Sequence, residues 1–319
     1  MGPTAVAILT SLNYSLGDIA GGGTSIVLTG SGFTGASGVK FGATTATFVV
    51  DNDSQITATL PAHAAGTVSV TVINDVGVSN GVSFEYWSPA QLTPKAWSRG
   101  PNYTSTGGTS GVFTDSGSLG DNFVQATGAQ VPAEANVLLR PPVPQFDGTD
   151  DILANTTAWN TAVGASFFVW VLFFANSAAT DPTTYHGNLI ADTTNAEVGL
   201  DIGASGLSAT ILEGAAVYQS SGYVPCSTSA WHLGLLQCDA AAAGAEGMVA
   251  VDNSGWTTFA VTGGYGAAGP GPISLGKGFE AARYFDGYEA EVGVVDSTVS
   301  AGNITKLRQY CNQRYGVSV

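Results

Sequence analysis

The stretches that decide the fold of the first part of this chain are GGGTSIVLTGSGFTGASGVKFG (residues 21–42), SQITATLPAHAAGTVSVTV (54–72) and VSFEY (82–86). Apolar residues step by two within short runs, as in Ile56, Ala58 and Leu60, and each run ends at a turn rich in glycine. This period is typical of strands with one buried face. About seven runs spaced at roughly 8 to 12 residues leave no room for crossover helices. The pattern predicts a seven-stranded, two-sheet sandwich over residues 1–87.

The same residues also resemble a known family. The opening GGGTSIVLTGSGF, the VKFG of residues 39–42 and the closing VSFEY resemble the IPT/TIG family of immunoglobulin-like domains. The resemblance covers nearly the whole segment and implies an Ig-like fold. Domains of this family serve as spacers, adhesion modules and dimerising modules, so the resemblance carries no catalytic residue to this chain.

Composition limits the partners of the chain. It has 319 residues, enough for two or three domains, and 44% of them are apolar, enough for a sizeable core. Only 10% are charged, and 24 acidic against 9 basic residues give a net charge of −15. No lysine or arginine occurs between Pro141 and Gly276. Because such a chain repels phosphate backbones, we expect no nucleic-acid partner.

The sequence shows no secretory signal and no membrane span. The first residues, MGPTAVAILTSLNYS, lack the basic start and long apolar core of a secretory signal, which indicates a chain used without export or a mature form. The most apolar run, ASFFVWVLFFA (residues 165–175), is too short to span a membrane and is rich in aromatic and β-branched residues. We predict that it is a central buried strand.

Residues 88–130 differ in composition from what precedes them. They are dense in proline, glycine, serine and threonine and weakly periodic, which predicts a hinge near residues 88–96 followed by loosely structured lead-in strands. Four aromatic residues are nevertheless spread through the segment: Trp97, Tyr103, Phe113 and Phe123. We therefore predict that residues 97–123 pack on a neighbouring surface, and that deleting them releases the protein from its assembly while the sandwich still folds.

A second β-rich domain is predicted over residues 131–319. Its landmarks, in order, are QFDGTDDIL (145–153), SFFVWVLFF (166–174), WHLGLLQC (231–238), GMVAVDNSGW (247–256) and FDGYEAEVGVV (285–295). This order resembles the laminin-G-like branch of the concanavalin A-like jelly-roll family. The predicted fold class is therefore all-β, an N-terminal Ig-like sandwich followed by a C-terminal jelly roll with one short C-terminal helix.

The closing helix can be predicted from the residues alone. Ile304, Leu307, Cys311 and Tyr315 fall at steps of three, four and four and form one apolar stripe, with Ser300 as N-cap and Gly316 as the residue after the end. We expect the stripe to lie against the jelly roll, and no helix longer than two turns before Asp296.

Catalysis is the first function to consider, because the concanavalin A-like family includes glycoside hydrolases. The nearest approach to their carboxylate pair is Glu289 and Glu291, which a regular strand would place on one face. The middle aspartate and third carboxylate of the family pattern are missing, so we predict a non-enzymatic protein with one of these acids exposed at a sheet edge. Glu289→Gln and Glu291→Gln should then change only local charge. His63, His186 and His232 are isolated, and no spacing indicates a nucleophilic triad.

Metal binding is the second function to consider. The family often holds calcium through Asp and Asn side chains, and this chain has Asp147, Asp150 and Asp151 in one turn and Asp192 with Asn195 in another. The same residue types favour turns through local hydrogen bonds to the backbone, so the cluster has an equally ordinary structural explanation. No cofactor is predicted, and calcium is the metal that these turns could hold.

Glycan binding is the third function to consider. Sugar sites combine an exposed aromatic face with planar amides and acids. The candidates in loop-like contexts are Tyr185, Asn188, Asp252, Asn253, Trp256 and Tyr265.

The combination of the two modules resembles that of a known class of proteins. An IPT/TIG module joined to a laminin-G-like jelly roll, with few charges, resembles bacteriophage virion proteins such as capsid decorations, head fibres and tail appendages. Its expected partners are other virion proteins, further copies of the chain and host-surface glycans, and its expected location is the virion after synthesis in the host cytoplasm. The alternatives are a bacterial cell-surface carbohydrate-binding adhesin and, less strongly indicated, a glycoside hydrolase.

Overall fold

The regular secondary structure of the described residues is almost all β-strand. This computed structural model describes residues 5–21, 23–138, 142–158, 166–176, 188–192, 198–203, 205–213, 216–219, 223–239, 246–261, 272–277 and 284–319. The chain divides into two compact units, one made of residues 1–91 with 305–314 and the other of residues 92–304 with 315–319. Within the described ranges, no helix has the length and apolar character needed to cross a membrane.

In the part of the first unit that the structure describes, ten strands form two sheets. They are β1 (Ile8–Leu12), β2 (Leu16–Asp18), β3 (Ser25–Ser31), β4 (Gly38–Phe41), β5 (Thr44–Ala46), β6 (Phe48–Asn52), β7 (Gln55–Thr59), β8 (Gly66–Asn74), β9 (Gly77–Val78) and β10 (Val82–Trp87). One sheet has the order β1-β3-β7-β6, and the other has the order β2-β10-β8-β4-β5 with β9 beside β8. Seven strands were predicted, and β2, β5 and β9 are the additions, each too short to show a period of two.

The core of this unit follows the predicted alternation. Ile56, Ala58 and Leu60 are each at most 1% exposed, and Val70 and Val72 are fully buried. They pack with Phe41, Phe84 and Tyr86, whose rings meet edge to face at centroid distances of 5.2 to 6.3 Å. The two-sheet sandwich predicted from residues 21–86 is therefore confirmed.

The described residues of the second unit form seventeen strands. They are β11 (Ala96–Arg99), β12 (Tyr103–Ser105), β13 (Gly111–Phe113), β14 (Phe123–Gln125), β15 (Ala133–Ala135), β16 (Val143–Asp147), β17 (Leu153–Ala154), β18 (Phe167–Ala175), β19 (Asn188–Asp192), β20 (Val198–Gly203), β21 (Gly206–Glu213), β22 (Ala216–Gln219), β23 (Trp231–Asp239), β24 (Glu246–Val251), β25 (Thr257–Ala260), β26 (Ile273–Leu275) and β27 (Asp286–Val295). The first sheet has the order β15-β16-β27-β18-β23-β24-β25 with β11 beside β27, and the second has the order β12-β13-β14-β17-β26-β19-β20-β21-β22. Both sheets contribute to one apolar core. The predicted all-β class, an Ig-like sandwich and a jelly roll, is confirmed, as is the buried central strand, which is β18.

Residues 97–123 contribute to strands of the second unit, as predicted, but their aromatic residues do not form the exposed surface that was expected to contact a partner. Tyr103, Phe113 and Phe123 are fully buried in the core of the second unit, and Trp97 is 4% exposed. β11 pairs with β27, while β12, β13 and β14 begin the second sheet. The segment is therefore part of the jelly roll and offers no exposed aromatic surface to a partner. Deleting it would remove β12, β13, most of β11 and the first residue of β14, together with their core side chains.

The short 3-10 turns of the chain are Pro89–Leu92, Gly100–Asn102 and Gly128–Gln130, and the α-helix described is α1 (Ala301–Tyr315). The Ser300 hydroxyl accepts the Asn303 N–H at 3.3 Å, and Gly316 has φ +71°, so both predicted helix ends are confirmed. The helix was expected to lie against the jelly roll. Tyr315 does contact β27, but residues 305–314 belong to the first unit, where Lys306 binds Glu85 and Arg314 binds Asp18.

Candidate functional site

A β-bulge in β27 separates the two acids that the sequence placed together. Glu291 lies opposite Leu172, whereas Glu289 lies opposite Phe173, so the register shifts by one residue between them. Leu172 and Phe173 are neighbours in a strand and point to opposite faces, and directly paired residues share a face. Glu289 and Glu291 therefore point to opposite sides of the sheet. The expectation of a common face was wrong, and these two carboxyls cannot act together on one glycosidic bond.

Glu289 lies on the core side of the sheet, the side of Phe173. Its side chain is fully buried, and neither carboxyl oxygen has a hydrogen-bond partner among the described residues. Burial raises the pKa of this carboxyl well above its usual range, and the nearby Gly276 amide offsets only part of that rise. Because β27 lies inside its sheet and Glu289 is buried, the expectation that one of the acids is exposed at an edge was wrong here.

Glu291 is equally buried but fully paired. One carboxylate oxygen accepts the indole N–H of Trp97 at 2.8 Å, and the other accepts the Tyr315 hydroxyl at 2.6 Å. These bonds join β27 to β11 and to the last residue of α1. Glu291 is therefore a structural residue, and the charge-assisted hydrogen bonds account for its burial.

The same substitution at these two positions should have opposite effects on stability. Glu289→Gln should raise the melting temperature at pH 8, because ionisation of an unpartnered buried carboxyl opposes folding. Because the folded-state pKa of Glu289 is raised, the wild-type protein keeps its full stability at acid pH and loses stability as the pH rises. The difference in melting temperature between the variant and the wild type should therefore vanish toward pH 4. Glu291→Gln should lower the melting temperature at both pH values. Its free energy of unfolding should fall by about 1–3 kcal/mol, because two donors then share one amide oxygen.

Thermal melts of the two variants between pH 4 and pH 8 test this. An unchanged melting temperature for both variants at pH 8 would restore the original expectation that only local charge changes.

The structure brings Asp147, Asp150 and Asp151 together, with one carboxylate oxygen from each within 4.8 Å of the others. Oxygens of two of these carboxylates already accept hydrogen bonds from backbone amides of the turn. Asp147 accepts the Thr149 and Asp150 amides at 2.8 and 3.3 Å, and Asp151 accepts the Asp147 amide at 2.9 Å. Burial, with the Asp147 charge adding to it, raises the pKa of Asp151 to about 6. The side chain of Asp192 and the whole of Asn195 lie outside the described residues. Calcium binding here stays a prediction.

Three of the six predicted glycan-binding residues have side chains in the described part of the chain, and these three lie in one turn. Asp252, Asn253 and Trp256 share the turn between β24 and β25, where Asn253 is exposed and Trp256 half-buried. Asp252 is engaged by its neighbours, since its two carboxylate oxygens contact His232 and the Leu233 amide at 2.7 and 2.8 Å. Tyr185, Tyr265 and the side chain of Asn188 lie outside the described residues.

His232 is not isolated. It is 8% exposed, its Nδ1 lies 2.7 Å from Asp252 Oδ2, and its Nε2 lies 3.1 Å from the hydroxyl of Ser227. The spacing of Ser227, His232 and Asp252 matches no sequence motif, because the β23–β24 hairpin and the loop before β23 bring the three residues together.

An aromatic platform, formed by Phe174, Trp231 and Tyr288, lies on the face of the first sheet that is opposite the core. Phe174 is paired directly with Trp231 in β23 and with Tyr288 in β27. The ring centroids are 5.6 Å apart for Phe174–Trp231 and Phe174–Tyr288, and 6.3 Å apart for Trp231–Tyr288. All three residues are half-buried, and their rings are inclined to one another by 39° to 69°. The sequence does not reveal this group, because its members come from three strands far apart in the chain.

A cleft of about 620 Å³ adjoins the platform. Trp231 belongs to both, and the cleft is otherwise lined by Asn136, Val137, Leu138, Ala230, Tyr315 and residues 316–318. Asn136 and Val137 are exposed. An apolar wall with a few polar groups at its rim is typical of small-ligand sites.

Solved structures with a similar arrangement share little sequence with this chain. The binding domain of Paraclostridial Mosquitocidal Protein 1 has 8% identity and a TM-score of 0.48 and is matched over 70% of this chain and 54% of that chain, so this chain spans about half its length. Domain 4 of AbnA, a GH43 extracellular arabinanase from Geobacillus stearothermophilus in complex with arabinotriose, has 11% identity, a TM-score of 0.42 and coverage of 56% and 80%. The CBM40 of Ruminococcus gnavus IT-sialidase bound to alpha2,3 sialyllactose has 11% identity, a TM-score of 0.33 and coverage of 44% and 80%.

At the level of sequence, no curated protein matches the chain. A family model does match the first unit, over residues 7–86, and its description is IPT/TIG domain. The match and the two-sheet sandwich agree with the resemblance seen in the sequence. Residues 7–86 are therefore an IPT/TIG domain.

Proposed function

We propose that the second unit binds glycans at the aromatic platform and that the chain is a display or adhesion protein that does not cleave the glycosidic bonds it binds. The platform is the observation that carries this proposal. Three neighbouring rings give an apolar surface that is partly exposed, and the C–H groups of a pyranose suit the electron-rich face of an aromatic ring.

The cleft beside Trp231 supports a ligand longer than one sugar. A first residue stacked on the platform would place a second residue over the cleft, where the Asn136 amide offers both a donor and an acceptor for hydroxyl groups. The opposite orientations of Glu289 and Glu291 support binding without hydrolysis by that pair.

The role proposed for the whole chain is that of a bacteriophage virion protein, such as a capsid decoration, head fibre or tail appendage. An IPT/TIG domain ahead of a jelly roll suits a spacer that presents a binding module. The low content of charged residues, 10%, suits a protein made in the host cytoplasm and assembled with other virion proteins or further copies of itself. The alternative role is a bacterial cell-surface adhesin. Mass spectrometry of purified virions and of washed host cell envelopes separates the two, because the proposal requires the protein in the virions.

The binding site is tested with a glycan array and two tryptophan variants. Trp231→Ala should lower affinity for the best array ligand at least about tenfold, as expected when a central aromatic anchor is removed. Trp256→Ala is the matched control, since Trp256 is also half-buried but lies in the β24–β25 turn. Isothermal titration of both variants with that ligand gives the affinities.

Three results would decide against the platform. Loss of binding in Trp256→Ala alone would favour the turn that contains Asp252 and Asn253. Equal affinities in wild type and both variants would place the site elsewhere. An array on which the folded wild-type protein binds no glycan would overturn the proposed function.

A further inference from the structure

Ser227, His232 and Asp252 form a hydrogen-bonded chain at one end of the second unit. Ser227 is exposed in the loop before β23, His232 is the second residue of that strand, and Asp252 begins the turn after β24. The Ser227 hydroxyl is 3.1 Å from His232 Nε2, and Asp252 Oδ2 is 2.7 Å from His232 Nδ1. An exposed hydroxyl, a buried imidazole and a carboxylate in this order have the geometry by which a nucleophile is activated.

Asp252 is held firmly in its place. Its second carboxylate oxygen accepts the Leu233 amide at 2.8 Å, and its own amide donates to the Leu233 carbonyl at 2.9 Å. Its φ of +51° lies in the left-handed region that a non-glycine residue adopts at a cost. A carboxylate held in this way fixes the imidazole with its proton on Nδ1, which leaves the Nε2 lone pair facing Ser227.

The serine is the nucleophile that this loop offers. The preceding Cys226 packs against the core, and burial raises the pKa of its thiol to about 11, so it stays protonated at neutral pH. The Ser227 carbonyl lies 3.0 Å from the same Nε2 and can accept its proton once the ring is protonated. Both protonation states of His232 therefore have a partner.

We propose that Ser227 is a nucleophile for acyl transfer, with His232 as general base and Asp252 as its positioning residue, and that the substrates are carboxylic esters with small acyl groups. Residues 227–229 are exposed and provide little apolar surface for a long acyl chain. The inference departs from the sequence-based expectation of a non-enzymatic protein and does not depend on glycan binding.

The proposed reaction has two steps that balance. Ser227 Oγ attacks the ester carbonyl carbon while its proton passes to His232 Nε2, and collapse of the tetrahedral intermediate breaks the bond to the alkoxide, which takes that proton and leaves as the alcohol. Water then gives a proton to Nε2 and attacks the acyl-serine, and the carboxylic acid and free Ser227 are released.

The test uses the full chain and a fluorophosphonate probe, which phosphonylates activated serines. Intact-mass spectrometry should show one adduct per wild-type chain, and peptide mapping should place it on Ser227. Ser227→Ala should abolish the adduct. Ser229→Ala, which removes another exposed hydroxyl of the same loop, should keep it. Hydrolysis of p-nitrophenyl acetate should follow the same order.

Two further variants separate activation from structure. His232→Ala should label at least about 100-fold more slowly, the lower end of what a general base contributes, and added imidazole should restore part of the rate. In Asp252→Asn, the downfield proton signal of a carboxylate-bound imidazole N–H should disappear from the NMR spectrum and labelling should slow.

Absence of labelling in the wild type, an adduct that persists in Ser227→Ala, or equal labelling of Ser229 would each overturn the proposal and leave His232 as a structural link between the loop and the turn. Because Ser227 and Ser229 are exposed, their variants should fold, and they decide the question even where Asp252→Asn does not fold.

Discussion

Asp18→Ala should lower the free energy of unfolding of the first unit by about 3–5 kcal/mol, the range for breaking a buried ion pair. Asp18 and Arg314 are 3% and 5% exposed, and the Arg314 guanidinium donates to Asp18 Oδ2. The other oxygen of Asp18 accepts the Ala20 amide at 3.1 Å. Removal of the carboxylate would take from the buried Arg314 guanidinium the negative charge to which it donates. Urea unfolding followed by circular dichroism measures the loss.

The same helix supplies a matched control. Lys306 pairs with Glu85 at 2.6 Å, but these side chains are 33% and 32% exposed. Glu85→Ala should therefore cost only about 0–1 kcal/mol, and added salt should reduce that cost. Hydrogen exchange in peptides spanning β2 and β3 should rise in Asp18→Ala and stay unchanged in Glu85→Ala. Equal costs for the two variants would contradict the prediction.

Trp170→Ala should cost about 3–5 kcal/mol, as expected for a large aromatic side chain in a core. Trp170 is fully buried and stacks on Phe168 at 6.0 Å. Its ring lies over the backbone of Gly293, which is paired with Trp170 on one side and with Trp97 on the other. A Cβ at Gly293 would lie 2.1 Å from two atoms of the Trp170 ring.

Gly293→Ala should therefore cost about 1–3 kcal/mol by overpacking in the wild type, and much less in Trp170→Ala, where the ring is gone. A double-mutant cycle measured by urea unfolding gives the coupling. Gly255→Ala is the control, because a Cβ there would meet nothing within 4 Å. Additive costs for Gly293→Ala and Trp170→Ala would show that the ring and the glycine do not depend on each other.

Much of the fold could be predicted because the longer strands show their period in the sequence. The runs around Ile56 and Val70 alternate visibly, and α1 carries both of its end signals, Ser300 and Gly316. Residues 97–123 could not be assigned to the core, because their strands are only three or four residues long. In addition, β11 pairs with a strand almost 200 residues later in the chain, as the contact between Trp97 and Glu291 shows. Such pairing leaves no local pattern.

The candidate sites were predicted less well than the fold, and each failure has a local cause. The bulge in β27 reversed the orientation of Glu289 relative to Glu291, and no proline or glycine between them marks it. The platform depends on register across three strands. The Trp231-His232 pair and the Asp252 turn had both been noted in the sequence, but only the hairpin register shows that His232 and Asp252 touch.

The discontinuity of the first unit has a consequence during protein synthesis. N-terminal domains generally fold first as the chain emerges from the ribosome. Here the sandwich strands of residues 5–87 emerge early, but the helical residues 305–314 of the same unit are translated after the whole of residues 92–304. Until then, Asp18 lacks its guanidinium partner and Trp87 lacks the Tyr310 ring that packs on it at 6.1 Å. The nascent sandwich therefore lacks these two contacts until residues 305–314 have emerged from the ribosome, and it reaches its full stability only then.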